Sequence, residues 1–177
     1  MAANHRNPLV LTLSLDKSSQ HFLTSLRSKY FPKHRNFLNA HVTLFHAIPS
    51  HRRTEFEQEL SSIAKSVAPW DVFIGDPRKM GKKGVMVTVR DRPARSTEEV
   101  HHRLLKFLQD GVKADQDKLT EQDSKHLGRP HVTILNKAEK EEEVEDCLQD
   151  LLKMFDGMKG EKEQFGQQKG TAIGLEL

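Results

Sequence analysis

Two short stretches, His41-Val-Thr-Leu-Phe45 and His131-Val-Thr-Ile-Leu135, decide how the rest of the chain is read. Each is a β-forming run opened by a histidine. Side chains alternate across a strand, so His41 and Thr43 share one face, and His131 and Thr133 do the same. Val42, Leu44, Val132 and Ile134 face the other way, as core residues do. With 11 Val, 9 Thr and 10 His in 177 residues, two such triplets arise by chance roughly once in two thousand compositions, although a motif still needs a structural context. Duplication alone explains the repeat; it does not explain polar front residues in otherwise apolar strands.

Outward from these runs, the same elements recur on both sides. Leu9 to Leu15 predicts a strand. Ser18 and Ser19 can cap a helix that places Phe22, Leu23, Leu26 and Tyr30 on one face and ends at Pro32. After the first His-Val-Thr run, Phe56, Leu60, Ile63 and Val67 mark a second helix, stopped by Pro69. Trp70 to Ile74 is a strand, and Gly75 with Pro77 marks a turn. In the second half, Val85 to Val89 is a strand. Ser96-Thr-Glu-Glu99 reads as a capping box for a helix turning Val100, Leu104, Leu105 and Leu108 inward. A polar loop from about 112 to 130 precedes the second His-Val-Thr run. A helix carrying Val144, Leu148, Leu151, Leu152 and Phe155 follows, and Thr171 to Leu177 is a last strand.

Strand, helix, His-Val-Thr strand, helix, strand therefore occurs twice. This predicts one domain over 1–177 built from two similar lobes, roughly 1–80 and 81–177, related by a pseudo-twofold. The second half is longer, and the excess lies in the 113–128 loop, a candidate rim or lid over a site.

The formal charge of +3 and pI of about 9.0 are compatible with an anionic substrate and prove no nucleic-acid binding. No apolar run approaches the 18 or so residues of a membrane span. Met1 to Pro8 carries no apolar signal-peptide segment. The single cysteine, Cys147, excludes an internal disulfide framework and reads as a packed helix residue. Together these features point to a reducing intracellular compartment, the cytoplasm, with the nucleus left open. The acidic run Glu139 to Glu145 reads as a solvated helix start. Gly81-Lys-Lys-Gly84 is too short for a phosphate-binding loop and reads as a hairpin turn with a basic tip. His41, His46 and His51 are each five apart, but residues five apart on a strand face opposite ways, and Pro49 breaks any helix between them. With no His-Glu-x-x-His or Cys-x-x-Cys spacing either, no metal is expected. His101 and His102 read as surface positions on a helix flank.

Two imidazoles and two hydroxyls on facing strands suit chemistry at a phosphodiester. One imidazole removes a proton from attacking water while the other protonates the departing oxygen. The unperturbed imidazole pKa, about 6.5, serves both jobs. The threonine hydroxyls donate to the non-bridging oxygens, where charge builds in the transition state. Arg35, six residues before His41, and Lys137, six after His131, could reach a substrate phosphate or be solvated cations; Arg129 is also close. Of the aromatic candidates for stacking on a base, Tyr30, Phe37, Phe45 and Trp70, the reading for Tyr30 and Trp70 is core. Phe45 is the best, because alternation puts it with His41 and Thr43. The alternative from another class is a non-catalytic nucleotide- or RNA-binding module on the same fold.

Over 31–49, and over 119–123 with 129–137, the chain resembles the 2H phosphoesterase superfamily, named for two His-x-Thr/Ser motifs. More closely it resembles the 2′-5′ RNA ligase/cyclic phosphodiesterase branch. The resemblance implies an α+β fold, bilobal and duplicated, with two antiparallel sheets forming a central cleft and helices outside. It implies hydrolysis of a 2′,3′-cyclic phosphate at an RNA 3′ end or on a nucleotide, with reversible 2′-5′ ligation in some members. Others act on the cyclic phosphate derived from ADP-ribose or on 2′-5′ oligoadenylate. His41 and His131 match the catalytic pair, and Thr43 and Thr133 the phosphate-binding hydroxyls. No cofactor is implied, and a monomer is expected.

Overall fold

The duplicated order predicted from the sequence is the order observed. In the computed structural model, which describes residues 7–91, 94–160 and 166–177, the elements run β1 (Leu9–Leu15), α1 (Lys17–Tyr30), β2 (Val42–Ile48), α2 (Arg53–Ser66), β3 (Trp70–Lys79), β4 (Val85–Arg90), α3 (Ser96–Asp110), β5 (His131–Leu135), α4 (Glu141–Asp156) and β6 (Gln167–Glu176). Of the Met1 to Pro8 stretch that carries no apolar signal-peptide segment, residues 1–6 lie outside the described residues.

The architecture is α+β, with every strand pairing antiparallel. The expected pair of separate sheets is not what forms. The strands close into one six-stranded barrel, ordered β1-β2-β5-β4-β3-β6. The physical reason is an exchange of last strands: β6, from the second half, pairs with β1, and β3, from the first half, pairs with β4. Neither 1–80 nor 81–177 therefore holds a sheet of its own. Four of the six strand pairings therefore cross between 1–80 and 81–177: β1 with β6, β3 with β4, β3 with β6 over six residue pairs, and β2 with β5 through the single bridge Val42↔Val132. Interchanging β1 with β4, β2 with β5 and β3 with β6 reproduces the same circular order.

The helices follow the same symmetry. α1 lies beside α4, with Phe22 edge-on to Phe155 at 6.0 Å, and α2 lies beside α3, with Phe56 near Phe107 and Arg103 paired to Glu59 at 2.8 Å. Burial of Leu11, Leu13, Val42, Val72, Ile74, Val87 and Val132 on one face of the strands, and of Leu23, Phe56, Leu104 and Leu151 on the helices, makes a continuous core. Cys147 belongs to it, as expected, and burial pushes its thiol up to about 12.

Several local expectations give way to better partners. Asp16, not Ser18 or Ser19, caps α1: its carboxylate accepts from the Ser18 and Ser19 amides at 3.0 Å and from the Thr171 amide at 2.7 Å, tying the helix to β6. Gly170 has no room for a Cβ there, which would lie 2.2 Å from Ser19 Oγ. Ser96 is inside α3 rather than capping it, and the Asp91 carboxylate takes the Thr97 amide instead. Gly75 and Pro77 do not turn the chain. They flank a bulge at Asp76 within β3, where a proline lacking its amide hydrogen is tolerated. The turn falls at Gly81, φ 62°, closed by the Met80 amide on the Gly84 carbonyl at 2.8 Å. The acidic start of α4 is as read, with Glu143 accepting from the Glu139 amide at 3.0 Å.

Candidate active site

The bridge Val42↔Val132 fixes the geometry of the site. In an antiparallel pair centred there, His41 lies opposite Thr133 and Thr43 opposite His131. Alternation sends these four to the face that the two buried valines leave. They form a rectangle with the imidazoles on one diagonal, their Cα atoms roughly 8–9 Å apart from standard strand spacings. All four are partly exposed, whereas Val42 and Val132 are each 1% exposed. The row continues onto the neighbouring strands, with Thr12 beside Thr43 and Thr88 beside His131.

Both imidazoles are anchored alike. His41 Nδ1 lies 2.9 Å from the Asn39 carbonyl oxygen and His131 Nδ1 lies 2.8 Å from that of Arg129. A carbonyl oxygen only accepts, so each Nδ1 carries a hydrogen and each Nε2 is left as the working nitrogen. A neutral ring held this way offers a lone pair at Nε2; a protonated one offers a proton there. Sequence reading paired the histidines but had no sight of these anchors, which come from main-chain atoms two residues back.

A cleft of about 700 Å³ opens from the Thr43–His131 edge, bordered also by His46, His101, Gln122, His126 and Arg129. Its volume suits a nucleotide-sized ligand. The 113–128 loop is thus the rim that was expected, but two carboxylates hold it down. Asp123, 3% exposed, accepts from the His46 and Ala47 amides at 3.0 and 2.8 Å and from His46 Nδ1 at 3.3 Å. Asp117 accepts from His51 Nε2 at 2.6 Å and from the Lys113 and Ala114 amides at 2.9 Å. The His51 bond, with the two amides, brings the Asp117 carboxyl down to about 2. Buried Arg52 adds bonds to the Leu108 and Asp117 carbonyls. His46 and His51 thus partner different aspartates, away from His41, and no group of three or more His, Cys, Asp or Glu among the described residues is placed to hold a metal ion.

Phe45 is not a stacking surface. It is fully buried, because one extra residue, Leu44, is inserted in β2 between the pairs Leu11↔Phe45 and Thr12↔Thr43, turning the next side chain inward. The twin strand does the same: Ile134 is extra between Val85↔Leu135 and Met86↔Thr133, and Leu135 is buried. Phe45 instead stacks on His101, centroids 4.4 Å apart at 7°. His101 is therefore not a surface residue: it is 3% exposed, and burial pulls its pKa down to about 4 despite a bond to the Leu44 carbonyl. Arg35 and Lys137 are exposed, Arg35 bonded through Nε to His34 at 3.1 Å; neither reaches the four-residue rectangle by a hydrogen bond. Tyr30 and Trp70 are half-buried and bond to Asp150 at 3.1 Å and Thr97 at 3.1 Å, as their structural reading anticipated.

A duplicated antiparallel barrel that sets two His-Val-Thr strands side by side, each histidine tautomer fixed by the main chain, defines a two-histidine enzyme class. Residues 15–165 match the sequence pattern of the 2′-5′ RNA ligase superfamily, and the chain belongs to that superfamily, the 2H phosphoesterases. Its activities are of phosphoesterase or ligase type on RNA or nucleotide substrates. No curated protein sequence matches the chain closely.

Proposed function

We propose that this protein is a metal-independent phosphodiesterase that hydrolyses 2′,3′-cyclic phosphates at RNA 3′ ends or on nucleotides, with reversible 2′-5′ ligation at the same site. His41 and His131 are the proton-transfer pair, and Thr43 and Thr133 hold the non-bridging oxygens. The observation that carries this reading is the matched pair of Nδ1 anchors, which leaves Nε2 as the working nitrogen of both rings.

In the working state one ring is neutral and the other protonated. The neutral ring takes a proton from water as its oxygen attacks phosphorus, and the imidazolium gives its proton to the ester oxygen that leaves. One P–O bond forms and one breaks, the ring opens to a phosphomonoester, and the two rings finish with their protonation exchanged. The threonine hydroxyls stabilise the extra negative charge on the oxygens between them. The cleft beside Thr43 and His131 takes the nucleoside. Arg35 and Lys137 act as nearby cations that favour an anionic substrate.

The test is incubation with each nucleoside 2′,3′-cyclic phosphate in excess EDTA, alongside His41→Ala and His131→Ala, with products identified by chromatography. Conversion to one phosphomonoester that survives EDTA and is lost in both variants supports the reading. Nucleotide retained unchanged by the wild type indicates a binding module. Turnover that persists in both variants removes the site assignment.

A further inference from the structure

The two His-Val-Thr strands carry the same Nδ1 anchor, but the anchors are fastened differently. His131 bonds to the Arg129 carbonyl at the start of a paired strand: His131 itself pairs with Thr88, and the Pro130 carbonyl accepts from the Val89 amide at 2.9 Å. Strand β2 begins at Val42, and its pairing with β1 runs no further back than Leu13↔Val42. The Asn39 carbonyl that orients His41 therefore lies ahead of the ladder, where main-chain groups need partners from elsewhere.

Those partners come from one stripe of α1. Gln20, Thr24 and Arg27 stand at i, i+4 and i+7 and so share a face of the helix. Gln20 donates to the Ala40 carbonyl at 2.6 Å, and Thr24 Oγ1 accepts from the Ala40 amide at 3.2 Å. Arg27, 6% exposed, donates from Nε to Asn36 Oδ1 at 3.0 Å and the Leu38 carbonyl at 3.3 Å, and from Nη1 to the Thr133 carbonyl at 2.8 Å. Its guanidinium rests on the Phe31 ring, 3.7 Å from the centroid. A buried guanidinium is costly unless its donors are met. Here neutral oxygens meet them, from the approach to β2 and from β5, two strands that pair through the single bridge Val42↔Val132. A planar fork holds two such segments at a fixed separation, whereas an ammonium on a flexible stem is a single point.

We propose that Arg27 is a positioning residue for the reaction. Through the main chain on either side of Asn39 it holds the His41 ring in one tautomer, and through the Thr133 carbonyl it sets β5 against β2. His131, held by β4, does not depend on it. The effect on rate rests on the phosphodiesterase reading; the effect on the His41 ring does not.

The experiment uses Arg27→Met, which fills the space without a donor, and Arg27→Lys, with denaturant unfolding run on each. Histidine tautomers are read from two-bond proton–nitrogen NMR correlations at a pH where the rings are neutral. In Arg27→Met, His41 loses its single Nδ1–H form while His131 keeps it. In the same variant kcat for a nucleoside 2′,3′-cyclic phosphate falls roughly 10²-fold with KM unchanged, the cost of a misplacement of about 1 Å. Arg27→Lys stays nearer to Arg27→Met than to wild type in both readouts. Should Arg27→Met not fold, Thr24→Val decides: it removes the Ala40 acceptor at nearly constant shape. It gives the same change confined to His41, with a kcat loss of roughly 2- to 12-fold, the worth of one hydrogen bond. An equal tautomer change in both histidines, or none in either, overturns the proposal. So does a loss of stability with kcat intact, or a rise in KM alone. If wild type turns over no cyclic phosphate, the phosphodiesterase reading fails, and the comparison of the two histidines still decides the role of Arg27.

Discussion

The strands β2 and β5 are near copies of one another, and the segments that lead into them are opposites. Both carry an imidazole bonded through Nδ1 to a carbonyl two residues back, a hydroxyl two residues on, and one inserted residue that buries the next side chain. Yet β2 is approached by a short segment that a buried arginine pins from beneath, leaving Phe37 and Leu38 exposed. β5 is approached by a longer loop that two aspartates pin to the opposite half, walling in the cleft. What the two strands share lies at their His-Val-Thr faces, and what they do not share lies in the segments around them. Symmetry at the centre and asymmetry at the edges are separable properties, and each can be attacked by mutation.

The sharpest break in the symmetry is removal of one imidazole. His41→Ala and His131→Ala are each expected to lower kcat for cyclic-phosphate hydrolysis by roughly 10²- to 10⁴-fold, the usual worth of a positioned acid or base. Because the pair works as a unit, the double variant should fall little further than the worse single one. Fully additive losses in steady-state kinetics would count against a concerted pair. So would a pH profile without a bell, since one ring must be neutral and the other charged.

Two phenylalanines sharpen the contrast between centre and edge. Phe45→Ala empties a fully buried site and is expected to cost about 3–5 kcal/mol in denaturant unfolding. Phe37→Ala, at a position 83% exposed, should move stability by no more than about 0.5 kcal/mol. Comparable losses in the two variants would mean that the Phe37 side chain is packed rather than exposed.

These two residues also mark where sequence reading succeeds and where it stops. The duplicated order, the paired His-Val-Thr faces and the core of both helix pairs were legible because each depends on local periodicity. The Phe45 error came from carrying strict alternation one residue too far. Both runs place two apolar residues in succession after the threonine, Leu44-Phe45 and Ile134-Leu135, and that repeated break in period was the available sign of a bulge. The exchange of β3 and β6 was not legible, since strand order is set by long-range pairing. Nor were Arg27, Asp117 and Asp123, polar residues whose burial follows from distant main-chain groups.

His101 tests the boundary between the cleft and the core. Its pKa is lowered by burial from 6.5 to about 4, so the unfolded chain binds the extra proton first. Stability from this group is complete above about pH 6.5 and is lost as pH falls from there toward 4, to a total of about 3 kcal/mol. Its neighbours include Asp123, His102 and His126. His101→Phe, which keeps the stack on Phe45, should flatten this limb of the stability–pH curve. A slope unchanged between pH 4 and 6.5 in that variant would assign it elsewhere.

The smallest expected effect is local to the loop. The Asp117 carboxyl is held down to about 2, chiefly by His51 and then by the Lys113 and Ala114 amides. The sign is that of a depressed acid: its contribution is present above the unfolded value near 3.8 and disappears as pH falls through about 2. His51→Ala removes the leading donor and should shift the Asp117 titration upward, toward 3.8, in an NMR pH series. Limited proteolysis at pH 4 should then cut within 112–130 faster than in wild type, while cleavage in 33–40, pinned by an arginine that does not titrate, stays the same. Equal acceleration in both segments would show that the approaches to β2 and β5 are held as one unit, and that their difference lies in shape alone.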